Sequence, residues 1–242
     1  LNGESKVDKA TAEAIQTLKD NGYEPFIATG RSPAETRDIM ESANIHSGIF
    51  MNGQVVLYQG ERVFSSEIPT ETVERFHQMV KEDGYGLTAY NDKEFYLVES
   101  SAGAKDAYGF IHTNPPALNA DFYKENPINM MLFISLPPAE DKYKVAFPNL
   151  DFLRNTPYSV DVISKGNSKA EGIKRFLEHL NQKDAETYAF GDGPNDIEML
   201  QAVTHPVAMG NALPVLKEIA EFITTNNTDN GIVNGLKHYG LI

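Results

Sequence analysis

Amphipathic helices alternate with short apolar strands at both ends of this chain, and few folds accommodate that alternation. Residues 8–19 place Ala10, Ala14, Ile15 and Leu18 at helical spacing, and Asn21-Gly22 supplies the stop. Phe26-Ile27-Ala28 reads as a short buried strand. Ser32-Pro33-Ala34-Glu35 then opens a helix with a capping box and proline at its first position. Gly48-Ile49-Phe50-Met51 is the next strand, ending at Asn52-Gly53. From Ser168 the alternation resumes, with helices over 169–180, 196–203, 213–219 and 231–239 and strands near 187–190, 206–208 and 222–223. Parallel βα units suit such a sequence, because each crossover helix covers the sheet it connects.

The middle of the chain breaks this rhythm. Residues 55–58 and 62–64 flank Gln59-Gly60-Glu61 as a hairpin, and 72–80 place Val73, Phe76 and Val80 on one helical side. Residues 87–90 and 95–98 form a second hairpin around Asn91-Asp92-Lys93, while 129–134 and 160–163 read as further strands. Pro115-Pro116 and Pro137-Pro138 mark loops. The expected fold class is α/β, with a Rossmann-like parallel-sheet core over 1–66 and 157–242 and an inserted α+β module over 67–156.

Composition narrows the function classes. The 242 residues are 41% hydrophobic and 10% aromatic, enough for a sizeable core. A net charge of −13, spread along the chain, repels nucleic acid and anionic membranes, so neither is an expected partner. No apolar run approaches the roughly 18 residues of a membrane span. The absence of cysteine removes disulfides, thiol nucleophiles and zinc–thiolate sites, and agrees with a cytoplasmic setting. An acidic surface of this kind suits a monomer or weak homo-oligomer.

Chemistry concentrates in Gly191-Asp192-Gly193-Pro194-Asn195-Asp196, a turn between an apolar strand and a helix. It sets Asp192 and Asp196 at the carboxyl end of a strand, where open α/β sheets bind their ligands. Two carboxylates and the Asn195 amide suit a hard cation such as Mg²⁺, although the same residues also serve as ordinary turn and cap residues. Thr29-Gly30-Arg31 offers a hydroxyl, an accessible backbone N–H and a helix N-terminus, the components of a phosphate site or of a plain strand-to-helix turn. Lys169 opens the helix entering the second half, placed either to neutralise a phosphoryl group or to sit on the surface, and Lys165 competes for that role. The six histidines lack ligand spacing, and neither a P-loop nor a dinucleotide fingerprint is present.

Taken in order, these strings resemble the haloacid dehalogenase-like phosphatases, specifically their Cof-type sugar-phosphatase branch. Ile27-Ala28-Thr29-Gly30-Arg31 is similar to that family's second motif, Lys169 to its third and Gly191 to Asp196 to its fourth. Met51-Asn52-Gly53, Ala208-Met209-Gly210-Asn211-Ala212 and Asn230-Gly231-Ile232 are similar to recurring segments of the branch. The resemblance covers the whole chain and makes the insert a cap domain. It implies a Mg²⁺-dependent phosphatase acting on a small phosphorylated metabolite through an aspartyl-phosphate. Asp192, Asp196 and Asn195 would hold the metal. Thr29, Gly30, Arg31, Asn52, Lys169 and Asn195 would bind the phosphate, with Thr29, Lys169 and Asp192 in the catalytic roles.

One element of the family pattern, an apolar strand followed by D-x-D-G-T-L, does not occur in this sequence. Leu1-Asn2-Gly3-Glu4 resembles the residues that follow it, so the nucleophile and the acid/base aspartate are expected upstream of Leu1. Two other functions share the fold: a non-catalytic phosphometabolite-binding protein, and a sugar phosphomutase.

Overall fold

The computed structural model describes residues 1–3 and 6–242, so Glu4 of the resembling N-terminal string lies outside the described residues. The first alternation becomes α1 (Lys9–Asp20), β1 (Ile27–Ala28), α2 (Pro33–Ala43) and β2 (Gly48–Phe50), followed by the hairpin of β3 (Val55–Tyr58) and β4 (Glu61–Ser65). β1 and β2 are parallel, the other two pairings antiparallel, and the sheet order is β1-β2-β3-β4. Ser32 caps α2 as its spacing predicts. Its hydroxyl accepts from the Glu35 N–H while the Glu35 carboxylate accepts from the Ser32 N–H at 2.8 Å.

The insert comprises α3 (Thr70–Asp83), β5 (Gly86–Tyr90), β6 (Phe95–Glu99), α4 (Ala104–Phe110), α5 (Phe122–Glu125), β7 (Met130–Ile134), α6 (Glu140–Ala146), β8 (Leu150–Thr156) and β9 (Ser159–Ser164). Its five strands form an antiparallel sheet of order β6-β5-β7-β9-β8. The chain then returns through α7 (Lys169–His179), β10 (Tyr188–Gly191), α8 (Ile197–Ala202), β11 (His205–Ala208), α9 (Pro214–Ile219), β12 (Phe222–Ile223) and α10 (Gly231–His238). Strands β10, β11 and β12 are parallel in that order. The architecture is α/β with an inserted α+β module, as the alternation implies.

The expected return to the core at 157 needs correction. That position falls within the β8–β9 hairpin, and β9 pairs with β7 from Met130↔Ile163 to Ile134↔Ser159. Val160 and Val162 are buried with Phe76 and Phe133 of the insert, so β9 belongs there and the chain crosses back after Ser164. The two crossings are tied together. Asn167 Nδ2 donates to Ser66 Oγ at 3.3 Å, and Asn129 Nδ2 donates to the Ser66 carbonyl at 2.7 Å.

Pleating divides the insert's sheet into two faces. One packs Leu87, Ala89, Met131, Phe133, Val160 and Val162 against α3 and α6. The other turns Tyr90, Met130 and Ile163 onto Phe50, Met51 and Val55 at the end of β2 and the start of β3. The module is thereby seated over the turn that follows β2. Beneath, α7 lies across β2 closely enough that a Cβ at Gly172 would collide with Ile49. Helix α1 packs against both sheets of the α/β half, Ala14 clustering with Tyr188 and Phe190 of β10 and Ile15 with Ile27 of β1. Among the described residues, β1 and β10 each keep one strand edge unpaired. No helix there is long and apolar enough to cross a membrane.

Candidate active site

Four loops converge beneath the insert. The first follows β1, where the Thr29 Oγ1 accepts from the Arg31 N–H at 3.1 Å and closes the turn into the capped N-terminus of α2. The Thr29 hydroxyl proton stays available to a ligand, and the Gly30 N–H lies beside it. Arg31 is half-buried, and its guanidinium has no hydrogen-bond or ion-pair partner among the described residues.

The second loop is backbone-strained. Met51, Asn52 and Gly53 have φ of 50°, 54° and 92°, three consecutive residues in the left-handed region. Only the glycine adopts it without cost, and for side-chain-bearing residues such outliers run to roughly 1–3 kcal/mol each. The strain holds Asn52, 1% exposed, between the other loops. Its N–H donates to the Thr29 carbonyl at 3.1 Å, and its Nδ2 donates to Asp161 Oδ2 at 3.0 Å. Its Oδ1 accepts from Asn195 Nδ2 at 2.9 Å. One side chain thus joins the phosphate-type turn, the acidic turn and the insert.

The third loop, Gly191 to Asp196, is built around one carboxylate. Asp196 Oδ2 accepts from the backbone N–H groups of Asp192 and Gly193 at 2.9 and 3.0 Å. Its Oδ1 accepts from Lys169 Nζ at 2.6 Å, and both side chains are 7% exposed. Gly191 is required here, since a Cβ would lie 2.7 Å from the Asp196 Cβ. The fourth loop adds Asn211, whose Nδ2 donates to Asp192 Oδ2 at 2.8 Å.

This geometry sorts the residues that sequence pointed to. Thr29, Gly30, Asn52, Lys169, Asp192, Asn195 and Asp196 are connected through direct hydrogen bonds or immediate chain neighbours, and Arg31 emerges from the same turn. Lys165 is not among them, because its Nζ donates to the Pro148 carbonyl at 3.3 Å on the exposed side. Of the three expected metal ligands, Asp192 fits best. It is exposed, and its Oδ1 has no protein partner among the described residues. Asp196 departs from expectation, for both its oxygens already brace the loop and Lys169, and Asn195 is held through its amide. A lone carboxylate with an amide nearby suits Mg²⁺, which keeps several waters and binds through one or two carboxylates plus substrate phosphate. Among the described residues no cluster of three or more acidic or histidine side chains forms a complete metal cage.

Two contributors escape the sequence motifs. Asn211 lies in a segment noted only for its resemblance. Asp161 interrupts the apolar run Ser159-Val160-Asp161-Val162-Ile163, and a carboxylate in a central strand is itself a signal of a special environment. Both Tyr90 and Tyr108 are buried behind it, linked hydroxyl to hydroxyl at 2.9 Å. Burial, aided by the charges of Glu35 and Asp161, raises the Tyr90 hydroxyl well above its ordinary value. Burial likewise pushes Tyr108 up to about 12.

Known proteins match along nearly the full chain. The family model for haloacid dehalogenase-like hydrolases matches residues 1–236. The Bacillus subtilis strain 168 protein named "Putative phosphatase YkrA" is 34% identical over 240 residues, 99% of this chain and 93% of the relative. A hypothetical protein from Geobacillus kaustophilus HTA426 superimposes with a TM-score of 0.92 at 31% identity, covering 99% of this chain and 94% of that one. BT4131, described as a sugar phosphatase of HAD subclass IIB, superimposes with a TM-score of 0.85 at 28% identity, with coverages of 99% and 94%.

Proposed function

Because the chain belongs to the haloacid dehalogenase-like hydrolases, in their Cof-type branch, we propose that it is a Mg²⁺-dependent phosphatase of small phosphorylated metabolites in a cytoplasmic setting. The observation that carries this reading is the linkage of Thr29, Asn52 and Asn195 through successive hydrogen bonds, continued by the adjacent Asp196 and its ion pair with Lys169. It sets a phosphate-type turn and a carboxylate turn on opposite sides of one space.

In this proposal the Thr29 hydroxyl and Gly30 N–H grip phosphoryl oxygens, and Arg31 adds a half-buried positive charge. Lys169 offsets charge that develops on the phosphoryl group, held in place by Asp196 rather than left to search rotamers. Asp192 holds Mg²⁺, with Asn195 and Asp196 acting through water or hydrogen bonds. When bound, the ion neutralises phosphate charge and polarises a phosphoryl oxygen. The electrostatic need is plain, since a carboxylate and a phosphate charge 4 Å apart repel by about 4 kcal/mol at an effective dielectric of 20.

The reaction is proposed to run through an aspartyl-phosphate, with the aspartate of the D-x-D-G-T-L pattern as nucleophile. Its carboxylate oxygen attacks phosphorus, the ester P–O bond breaks, and the alcohol leaves with a proton from a second acid. Water then hydrolyses the aspartyl-phosphate and releases inorganic phosphate.

The test is turnover of nitrophenyl phosphate by the natural protein. Asp192→Ala and chelation of the metal are each expected to lower the rate by about a hundredfold or more. Undiminished turnover in both would sink the phosphatase reading, and phosphate binding without turnover by the unaltered protein would favour a binding protein.

A further inference from the structure

One amide is set against the carboxylate proposed to hold the metal, and the reaction above gives it no part. Asn211 lies in the turn after β11, which the Ala212 N–H closes by donating to the Met209 carbonyl at 2.9 Å. Its Nδ2 donates to Asp192 Oδ2 at 2.8 Å, and its Oδ1 accepts from the Asn227 backbone N–H at 3.0 Å. A backbone N–H can only donate, so the amide oxygen must face Asn227 and the amino group must face Asp192. The direction of the amide is fixed by its partners.

The two loops do not need this bond to meet. The Met209 N–H donates to the Gly191 carbonyl at 3.0 Å and the Leu213 N–H to the Asp192 carbonyl at 3.2 Å, so backbone joins them on either side of Asn211. The segment carrying Asn227 is braced separately. Asn234 Nδ2 donates to Thr225 Oγ1 at 2.8 Å, and the Gly210 N–H donates to the Thr225 carbonyl at 3.0 Å. Packing there is close, since a Cβ on Gly210 would lie 2.7 Å from the Asn226 nitrogen. A rigid frame thus aims one donor at one oxygen of an exposed carboxylate.

That donor restricts how the carboxylate can bind a cation. With Oδ2 accepting from Asn211, Asp192 has Oδ1 as its free oxygen. Mg²⁺ is small, keeps several waters and needs one oxygen from a carboxylate. Ca²⁺ gathers about six to eight oxygens and gains from taking both of a carboxylate's. Resting on the phosphatase reading, we propose that Asn211 is a positioning residue that sets the cation preference of the site: it holds Asp192 to a single free oxygen and so favours Mg²⁺ over Ca²⁺.

The experiment measures Mg²⁺ and Ca²⁺ affinities of the natural protein and its Asn211→Ala variant by calorimetry, with no ester present. Freeing Oδ2 is expected to shift the ratio of the two affinities toward Ca²⁺ by about tenfold or more, the range over which groups behind metal ligands act. A merely structural role would weaken both cations equally and leave the ratio in place. Asn211→Asp has the same shape, keeps the acceptor for the Asn227 N–H and replaces the donor by a carboxylate oxygen. It is expected to move the ratio the same way, so the inference stands or falls even where the Ala variant folds poorly. An unchanged ratio in either folded variant, or a shift toward Mg²⁺, overturns it while leaving the phosphatase intact. A natural protein that binds neither cation overturns the metal reading and this inference with it.

Discussion

Replacing Lys169 by methionine isolates the ion pair around which the acidic turn is built. Lys169 Nζ and Asp196 Oδ1 are 2.6 Å apart, and each side chain is 7% exposed. Coulomb attraction at that separation is about 6 kcal/mol with an effective dielectric of 20, but burying both charges cancels much of it. Methionine preserves the apolar stem and removes the charge, leaving Asp196 buried with only the Asp192 and Gly193 amides as partners. Breaking a buried pair costs about 3–5 kcal/mol, and the two surviving amide bonds place this case near about 3. Thermal unfolding would register that loss as a fall of about 6–12 °C for a chain of this size. Adding Asp196→Asn should recover part of it, since a neutral amide oxygen can accept from the same N–H groups without a stranded charge. A loss below about 1 kcal/mol, the range of exposed pairs, would refute the claim that Lys169 is positioned by a buried carboxylate.

Three further outcomes follow from the same geometry. Asn52→Ala keeps the left-handed backbone without its side-chain bridge, whereas Asn52→Gly relieves the strain; chemical denaturation should find the glycine variant more stable by about 1 kcal/mol, with both slowed in phosphate release. Gly191→Ala drives a Cβ to within 2.7 Å of the Asp196 Cβ, so unfolding should shift downward and metal affinity, read by calorimetry, should weaken. Glu140 is held below the ordinary glutamate value by its hydrogen bond to Arg154. Because the folded-state value is the lower one, the pair's stabilisation is complete above the ordinary glutamate range and is lost as pH falls through the depressed value. Acid titration of Glu140→Gln should be flatter than that of the unaltered protein across that window.

The legibility of this fold follows the strength of local signals. The start of helix α2 is readable to the residue because Ser32, Pro33 and Glu35 each fill a position whose geometry admits few alternatives. The strands β1, β2, β10 and β11 stand out as short apolar runs between helical patterns. By contrast β8 escapes notice: a register shift between Leu153 and Thr156 breaks the alternation that would announce it. Missing β8 is what displaced the module's far boundary to 156. Helices α4 and α6 are seven residues each, too short for periodicity to rise above the surrounding polarity. At the site, the residue types of the two turns declared themselves. The role of Asp196 did not, since a carboxylate that binds a cation and one that braces a lysine look identical in sequence. Asp161 was hidden for a different reason, as its importance arises only when a strand more than a hundred residues away is folded over Asn52, a separation of 109 positions.

The most direct measurement is a crystal structure of the natural protein with Mg²⁺ and orthovanadate. The expected result is the metal on the Asp192 carboxylate. The oxyanion should lie between it and the Thr29 hydroxyl and Gly30 N–H, with Lys169 still held by Asp196. An oxyanion bound elsewhere, or a metal that ignores Asp192, would contradict the assignment of this space as a phosphoryl-transfer site.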